Sequence, residues 1–441
     1  MSTVKGFIFD YSKCVGCHAC MVACYNENHT TPPLSWRQVS GYNKSKLPLL
    51  GFVHLSIACN HCAEAPCLKA CPSGAYSIDP QTKSVIHNPD LCIGCKYCTW
   101  ACPFDAPKYN EVTRLIEKCN FCNHRLKEGL IPACALNCPT GALSFGDIVE
   151  EPNPNALGLS TRQVYPKLKV LGTDVSNSVP EMDISAVDCQ ENPSVDGYNV
   201  LANTPTSSMN WLAEWPLAVF TSIGAFIVGW LWAMLFLPSV ELSPWVFAGL
   251  GTMAMLLSTL HLGRPLRAYM SILNVKTSWL SREILTFGIF MLFGFGSLTI
   301  GKYWIVIVAS IAGLLFLVSV EKLYSVTRKR YNTPIHSANT ITMALVFAAL
   351  FAEFWNILLV LLVLKFVLFI VRNGQRFRSK PIIFTLFSFV RILLGFLIPI
   401  GIITLIKPAF SVFFLTSLIL GEVIDRFMFY EDFEPQGPFN L

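Results

Sequence analysis

Sixteen of the protein's seventeen cysteines lie between Cys14 and Cys138, in four groups. The first is Cys14-x2-Cys17-x2-Cys20-x3-Cys24 and the second Cys59-x2-Cys62-x4-Cys67-x3-Cys71-Pro72. The third is Cys92-x2-Cys95-x2-Cys98-x3-Cys102-Pro103, and the fourth joins Cys119-x2-Cys122 to Cys134-x3-Cys138-Pro139. A disulfide scaffold spreads its cysteines, whereas gaps of two to four residues put several thiols on one tight loop. That usage means metal ligation, not cross-linking.

The run C-x2-C-x2-C-x3-C-P is the spacing bacterial ferredoxins use for 4Fe–4S clusters. Three thiolates on the loop hold three corners of a cubane, and the last cysteine ligates the other cluster of a pair. Sixteen thiolates therefore supply four 4Fe–4S clusters. Zinc ribbons also use C-x2-C pairs, but zinc has no use for the third cysteine and the trailing Cys-Pro. Cys189 fits no group and reads as a free thiol. The second and third groups flank a hairpin-like stretch at 77–88 and should pair, which leaves the first with the fourth. Motif pairing then gives four sites: Cys14/Cys17/Cys20/Cys138, Cys24/Cys119/Cys122/Cys134, Cys59/Cys62/Cys67/Cys102 and Cys71/Cys92/Cys95/Cys98. Residues 1–148 are expected to form an α+β domain of bacterial-ferredoxin type, with a double pair of 4Fe–4S sites.

The rest of the sequence differs in kind. Residues 149–210 are rich in Pro, Asn, Ser and Asp without periodicity and read as an irregular extension or linker. Hydrophobic residues make up 53% of the whole and charged residues only 14%, with mean hydropathy +0.49. Soluble domains carry about a quarter charged residues, so an ordinary soluble enzyme and a disordered polypeptide are both excluded. A net charge of +5 is too small to suggest a nucleic-acid partner. The first residues show no apolar h-region and no twin arginine, so no signal peptide is expected.

From residue 211 onward, apolar stretches approach the roughly 20 residues a bilayer needs. Eight are expected: 216–237, 242–260, 284–300, 303–320, two from 332–371, 381–400 and 408–421. The 332–371 stretch would be about 60 Å as one helix, twice the hydrocarbon thickness, and is split near 353–356. Residues 211–441 thus read as an all-α, eight-helix transmembrane bundle, with Trp211 and Trp215 at an interfacial belt. With eight spans, thirteen Lys and Arg share the side of the cysteine domain, against Lys302 and Lys407 opposite. They are Arg264, Arg267, Lys276, Arg282, Lys322, Arg328, Lys329, Arg330, Arg372, Arg376, Arg378, Lys380 and Arg426. The positive-inside rule puts the Fe–S domain in the cytoplasm, beneath the cell's inner membrane.

His261 closes the second span and Glu283 opens the third, with Arg264 and Arg267 between them. A quinone head group needs donors to its carbonyls and a proton route, and these residues can provide both. They also suit an interfacial histidine, a helix N-terminal acid and lipid anchors. Lys365 and Arg391 lie inside spans six and seven, where a charge is costly and is either functional, paired or snorkelling. A b-type haem is not expected, because His261 and His336 are the membrane half's only histidines and each ends a span.

The segment from Cys92 to Tyr109, CIGCKYCTWACPFDAPKY, resembles the iron–sulfur subunit of dimethyl sulfoxide (DMSO) reductase and polysulfide reductase. The membrane half is similar to the DMSO reductase anchor subunit, through Trp215-Pro216, His261-Leu-Gly-Arg-Pro-Leu-Arg-Ala268 and Ser278-Trp-Leu-Ser-Arg-Glu-Ile284. The resemblance implies a fusion of the two non-catalytic subunits, served by a separate molybdenum–bis(pterin) catalytic subunit. It implies a quinone site at His261, Gly263 and Arg267, to which the reading above adds Glu283. Arg264 stands where the family has a small polar residue. DMSO reductase works on the outer face, whereas sulfite dehydrogenase members face the cytoplasm, as the charge asymmetry here does.

The expected function is an electron-transfer and membrane-anchor subunit of a quinone-linked molybdopterin oxidoreductase in anaerobic or sulfur-compound respiration. The sequence shows no catalytic motif of its own for the substrate. The alternative is a membrane ferredoxin module of an ion-translocating redox complex, which would need polar residues through mid-membrane; Lys365, Arg391 and Glu353 are the candidates. If the charge asymmetry sets the topology, a membrane-impermeant thiol reagent applied to intact cells should leave Cys189 unlabelled. Labelling without lysis would put the Fe–S domain outside.

Overall fold

In the first strand, β1 (Thr3–Asp10), Phe7 and Phe9 are buried two residues apart, the period at which a strand presents one face to a core. The computed structural model describes residues 3–30, 34–42, 53–149, 164–172, 214–237, 240–325, 336–374, 382–405 and 412–432, in two units that divide near residue 208. Cys189, Trp211, Arg328–Arg330, Arg376, Arg378, Lys380 and Lys407 lie outside the described residues.

Among the described residues, three short hairpins and a small sheet make up the strands of the first unit. The hairpins are β2 (Gln38–Tyr42) with β3 (Val53–Ile57), β4 (Tyr76–Ile78) with β5 (Val85–His87), and β6 (Lys108–Asn110) with β7 (Leu115–Glu117), all antiparallel. Five short helices accompany them: α1 (Ala19–Asn28), α2 (Pro66–Ala70), α3 (Tyr97–Ala101), α4 (Asn123–Lys127) and α5 (Ala133–Leu136). β1 pairs antiparallel with β8 (Leu143–Val149) and parallel with β9 (Leu168–Leu171), placing Phe7 opposite both Phe145 and Leu168. β9 falls within 149–210, the stretch that reads as an irregular extension. Its Leu168 and Val170 are buried and alternate with exposed Lys169 and Leu171. Four residues of alternation do not stand out in a Pro- and Asn-rich background, but the edge of β1 supplies the missing hydrogen bonds.

The second unit is helical: α6 (Trp215–Phe236), α7 (Pro244–Leu260), α8 (Trp279–Ile300), α9 (Tyr303–Ser325), α10 (Thr340–Phe351), α11 (Trp355–Gly374), α12 (Ile382–Ile392), α13 (Ile398–Leu405) and α14 (Val412–Glu431). A π-turn at Leu393–Leu397 joins α12 to α13. Phe220, Phe287, Phe290 and Phe316 pack in edge-to-face and tilted pairs at the centre of α6, α8 and α9. The long apolar stretch does break, between α10 and α11, where Glu353 takes a left-handed φ of 56°.

Among the described residues, five helices are long and apolar enough to cross a membrane, or six if α7 is joined to the Pro265–Ile272 3-10 segment, which bends away by 107°. The expected eight are not reached on these criteria for two reasons. α10 has 12 residues, about 18 Å of helix. α14 is long enough but carries Glu422, Asp425 and Arg426, and it runs ten residues past the end expected at Gly421.

Those charges are buried together. Lys365 donates to Glu422 at 2.6 Å, and Arg391 reaches Glu422 at 3.0 Å and Asp425 at 3.4 Å. Arg372 pairs with Asp425 at 2.6 Å and Asp432 at 2.8 Å. Arg426 bonds the Thr221 hydroxyl and the Ala338 carbonyl, each at 3.0 Å, with Glu321 at 3.8 Å. Arg372 and Arg426, two of the cations in the topological asymmetry, are therefore interior ion-pair partners and not loop charges. Removing one member of a buried pair costs about 3–5 kcal/mol, because the other is left unpaired in low dielectric. Glu422→Ala, which removes the ion-pair partner of Lys365 and the nearer of the two carboxylates of Arg391, should lower the detergent-solubilised protein's unfolding midpoint strongly. An unchanged midpoint would mean that this network does not hold α11, α12 and α14 together.

Candidate functional site

Each cysteine group contains the same backbone device. The residue before its second cysteine has a left-handed φ: 68° at Gly16, 45° at His61, 71° at Gly94 and 67° at Phe121. This turn lets two cysteines three residues apart face a common centre. Glycine adopts the conformation at little cost, and a Cβ at position 16 would in addition collide with the His54 ring. His61 and Phe121 have no such freedom and are held by packing. Both are fully buried and stack face to face, with ring centroids 4.1 Å apart. The Val85 amide donates to His61 Nδ1 at 2.9 Å, which puts the ring proton of the neutral imidazole on Nε2. Burial first, then Lys118 and Lys167, push His61 well below the usual histidine range, so it stays neutral.

The thiols gather in four sets. Cys14, Cys17, Cys20 and Cys138 line one cavity, and Cys71, Cys92, Cys95 and Cys98 another. Cys119 lies within electrostatic reach of Cys24, Cys122 and Cys134, and Cys62 of Cys59, Cys67 and Cys102. These neighbourhoods are compatible with the quartets of motif pairing, with Cys119 also within reach of Cys59 of the adjacent set. Among the described residues, no group of three His, Cys, Asp or Glu side chains closes tightly enough to hold a single metal ion. Four cysteines lining one space fit the ligand set of a cubane.

Burial dominates the electrostatics. It pushes the Cys24 and Cys102 thiols up to about 12, with neighbouring cysteines adding to the effect. Backbone amides work the other way, pointing at sulfur from Ala75 to Cys71 at 3.2 Å, Phe121 to Cys119 at 3.3 Å, Leu143 to Cys138 at 3.3 Å and Ala106 to Cys102 at 3.5 Å. At Cys138, where burial is partial, the amides prevail and the thiol falls below its ordinary value. Sixteen thiolates this close would repel one another without a compensating cation, and iron meets that need. Bound 4Fe–4S clusters supply one-electron transfer.

The sets form a row. Cys20 neighbours Cys134, and Cys119 neighbours Cys59. Tyr76 lies against Cys67, Cys71 and Cys98, bridging the last two sets. Sequence reasoning missed two further residues, Arg37 and Lys118, buried between sets. Lys118 directly precedes Cys119, which could have flagged it, but nothing in the sequence marks Arg37.

The quinone candidates separate into two surroundings. His261 caps α7, Gly263 is buried in the bend, and Arg267 lies on the Pro265–Ile272 segment. Glu283, buried in the first turns of α8, faces the bundle interior, where its charge meets Arg426, Tyr324 and Tyr430. Ser281 ties the two regions by donating to the Ser271 carbonyl at 2.6 Å.

Comparison with known proteins adds an independent line. Residues 51–148 match the family described as 4Fe-4S dicluster domain, and residues 209–337 match the DMSO reductase anchor subunit. The B chain of anaerobic dimethyl sulfoxide reductase from Escherichia coli (strain K12) is 40% identical over 158 residues, 34% of this protein and 77% of that relative. Protein NrfC of the same organism is 39% identical over 150 residues, 34% of this protein and 67% of its own length. The B subunit of sulfite dehydrogenase from Allochromatium vinosum is 31% identical over 196 residues, 40% of this protein and 82% of the relative.

If all four quartets are loaded, the purified protein should hold about sixteen irons and no stoichiometric zinc. Cys102→Ser should damage one cluster and spare the rest, read by iron analysis and low-temperature EPR. About eight irons in the wild type would leave only one pair of sites.

Proposed function

The protein belongs to the family of iron–sulfur subunits of anaerobic dimethyl sulfoxide reductase, continued on the same polypeptide by a region matching that enzyme's anchor subunit; from that premise we propose that it carries electrons between the membrane quinone pool and a separate catalytic subunit. The observation that carries the reading is the row of four cysteine quartets on a polypeptide whose second half is built of apolar helices. Four 4Fe–4S clusters make that row a wire. In this reading the substrate chemistry belongs to the catalytic partner. The family points to a molybdenum–bis(pterin) subunit, and the named relatives point to sulfur-compound or anaerobic respiration.

Within this reading the anchor has eight crossings, without haem. α14 serves as the eighth because its Glu422, Asp425 and Arg426 are matched by partners inside the bundle, which removes most of the cost of placing them in lipid. The Fe–S unit faces the cytoplasm, on the strength of the charged loops. Quinone binds at His261, Gly263 and Arg267. Arg267 and the imidazole supply donors to a quinone carbonyl, and histidine can take up or release a proton near neutral pH. Glu283, facing inward, handles the proton behind that site.

The second reading, an ion-translocating module, draws on the buried network of the membrane unit, which is larger than Lys365 and Arg391 alone. Its composition favours a clamp. Three of its four cations are guanidiniums, which do not release protons, and both carboxylates at its centre are shared between cations.

His261→Ala touches no cysteine, so clusters should assemble normally. Their reduction by a quinol analogue should slow at least tenfold, while reduction by a soluble dye persists. Wild-type quinol kinetics in that variant would move the search to the surroundings of Lys365 and Arg391.

A further inference from the structure

Arg37 and Lys118 are fully buried cations. Among the described residues no carboxylate hydrogen-bonds or ion-pairs with either, and each lies at a junction between two cysteine quartets. Arg37 Nη1 donates to the Ser56 hydroxyl at 3.1 Å and the Ser56 carbonyl at 3.3 Å. The same hydroxyl lies 3.3 Å from Cys20 Sγ, so with Cys20 as thiolate, Ser56 relays the guanidinium's pull to that sulfur. The guanidinium rests on the Phe7 ring at 4.4 Å. Its other nitrogens, Nε and Nη2, are buried with no hydrogen-bond partner among the described residues. A buried N–H without an acceptor is costly, and here the cation is surrounded by Cys20, Cys24, Cys119 and Cys134, which belong to the first two quartets of the row. Lys118 Nζ donates to the Val85 carbonyl at 2.5 Å and the Cys119 carbonyl at 2.9 Å, with Cys59 Sγ at 3.6 Å. Cys59 and Cys119 belong to the third and second quartets.

We propose that Arg37 and Lys118 are electrostatic positioning residues of the wire: each raises the reduction potential of the two clusters it separates and leaves the remaining two almost untouched. This rests on the four-cluster reading. A four-thiolate cluster is anionic and becomes more so when it accepts an electron, so a fixed cation stabilises the reduced form more than the oxidised form. The interior's low dielectric keeps the effect large nearby, and distance confines it to the flanking sites. The cluster of Cys24/Cys119/Cys122/Cys134 feels both cations. The outermost quartet, Cys71/Cys92/Cys95/Cys98, feels neither and has the neutral phenol of Tyr76 at its junction. The cations thus act on the first three clusters of the row, keeping electron transfer among them from stalling on the mutual repulsion of adjacent reduced clusters.

The test is EPR-monitored potentiometric titration of the full-length protein in detergent, with iron content measured on each sample. In Arg37→Gln, two potentials should fall, each by about 59 mV, the one-electron equivalent of a tenfold loss of the reduced form at fixed ambient potential. In Lys118→Met two should fall likewise, and one of them should be a cluster that also moved in Arg37→Gln. Arg37→Lys and Lys118→Arg keep the charge and should restore the potentials. Lys5→Gln, at an exposed cation of the same unit, should move none. Fully loaded variants with unshifted potentials, or with all four shifted alike, overturn the proposal, as does failure of the charge-keeping variants to restore them. Should Arg37→Gln lose iron, Lys118→Met carries the test; loss of iron from both would make the residues structural and overturn it too. A wild-type protein that itself lacks iron sinks the cluster reading instead, which is a distinguishable result.

Discussion

Burying negative sulfur is the condition that everything else in the cysteine-rich unit serves. Most thiols there are buried beside other cysteines, Cys17 being exposed and Cys14 and Cys138 partly covered, and burial drives many of them toward the neutral form. The short elements make sense on those terms. Three-residue strands and five-residue helices bury too little apolar surface to stabilise themselves, but they aim backbone amides at sulfur and hold four left-handed turns in place. The strain at His61 and Phe121 is tolerable because their stacked rings fill the space between the two middle quartets. The domain is organised from its metal-binding centres outward.

The membrane unit meets the same difficulty with the opposite material. It contains no cysteine, and cations and carboxylates from different helices neutralise one another. Lys365 and Arg372 on α11 and Arg391 on α12 converge on Glu422 and Asp425 of α14. Asp432, just past the end of α14, takes a second bond from Arg372. The spacing on α14 explains the convergence: Glu422, Asp425 and Arg426 lie three and four residues apart, on one helical face. Such pairs add less net stability than their geometry suggests, since desolvation offsets the attraction. Their larger effect is on which helices can neighbour α14, because any other arrangement would leave charges unmatched.

The cysteine groups were legible in sequence because ferredoxin spacing is a local code: in three of the expected sets three cysteines sit close together in sequence, Cys134 joins Cys119 and Cys122 from further along, and the turn between ligands is written as Gly16 and Gly94. Where His61 and Phe121 make the same turn, the code weakens, and only the spacing of the cysteines carries it. Arg37 and β9 were invisible for a different reason. Both take their roles from partners distant in sequence, Arg37 from Ser56 and the quartets, β9 from β1. The membrane spans were legible while hydropathy decided them and failed at α14, where charges that read as the end of a span are paired inside the bundle. The same long-range pairing made Arg372 and Arg426 look like loop charges.

The two halves differ in what their buried charges are able to do. Around the quartets the cations are fixed and electrons move past them. In the Lys365–Glu422–Arg391–Asp425–Arg372 network each charge is tied to a partner, so changing one protonation state would strand another, at a cost that grows in a low-dielectric interior. Glu283 is different. It is buried, its Oε2 has no hydrogen-bond partner among the described residues, and its nearest opposite charge, Arg426, is already committed to Thr221 and Ala338. A carboxyl in that position can gain or lose a proton without dismantling an ion pair. On the proposed quinone reading, any accompanying proton is therefore better handled beside α8, where the bent connection carrying His261 and Arg267 is tied on through Ser271 and Ser281, than among the clamped charges of α11, α12 and α14.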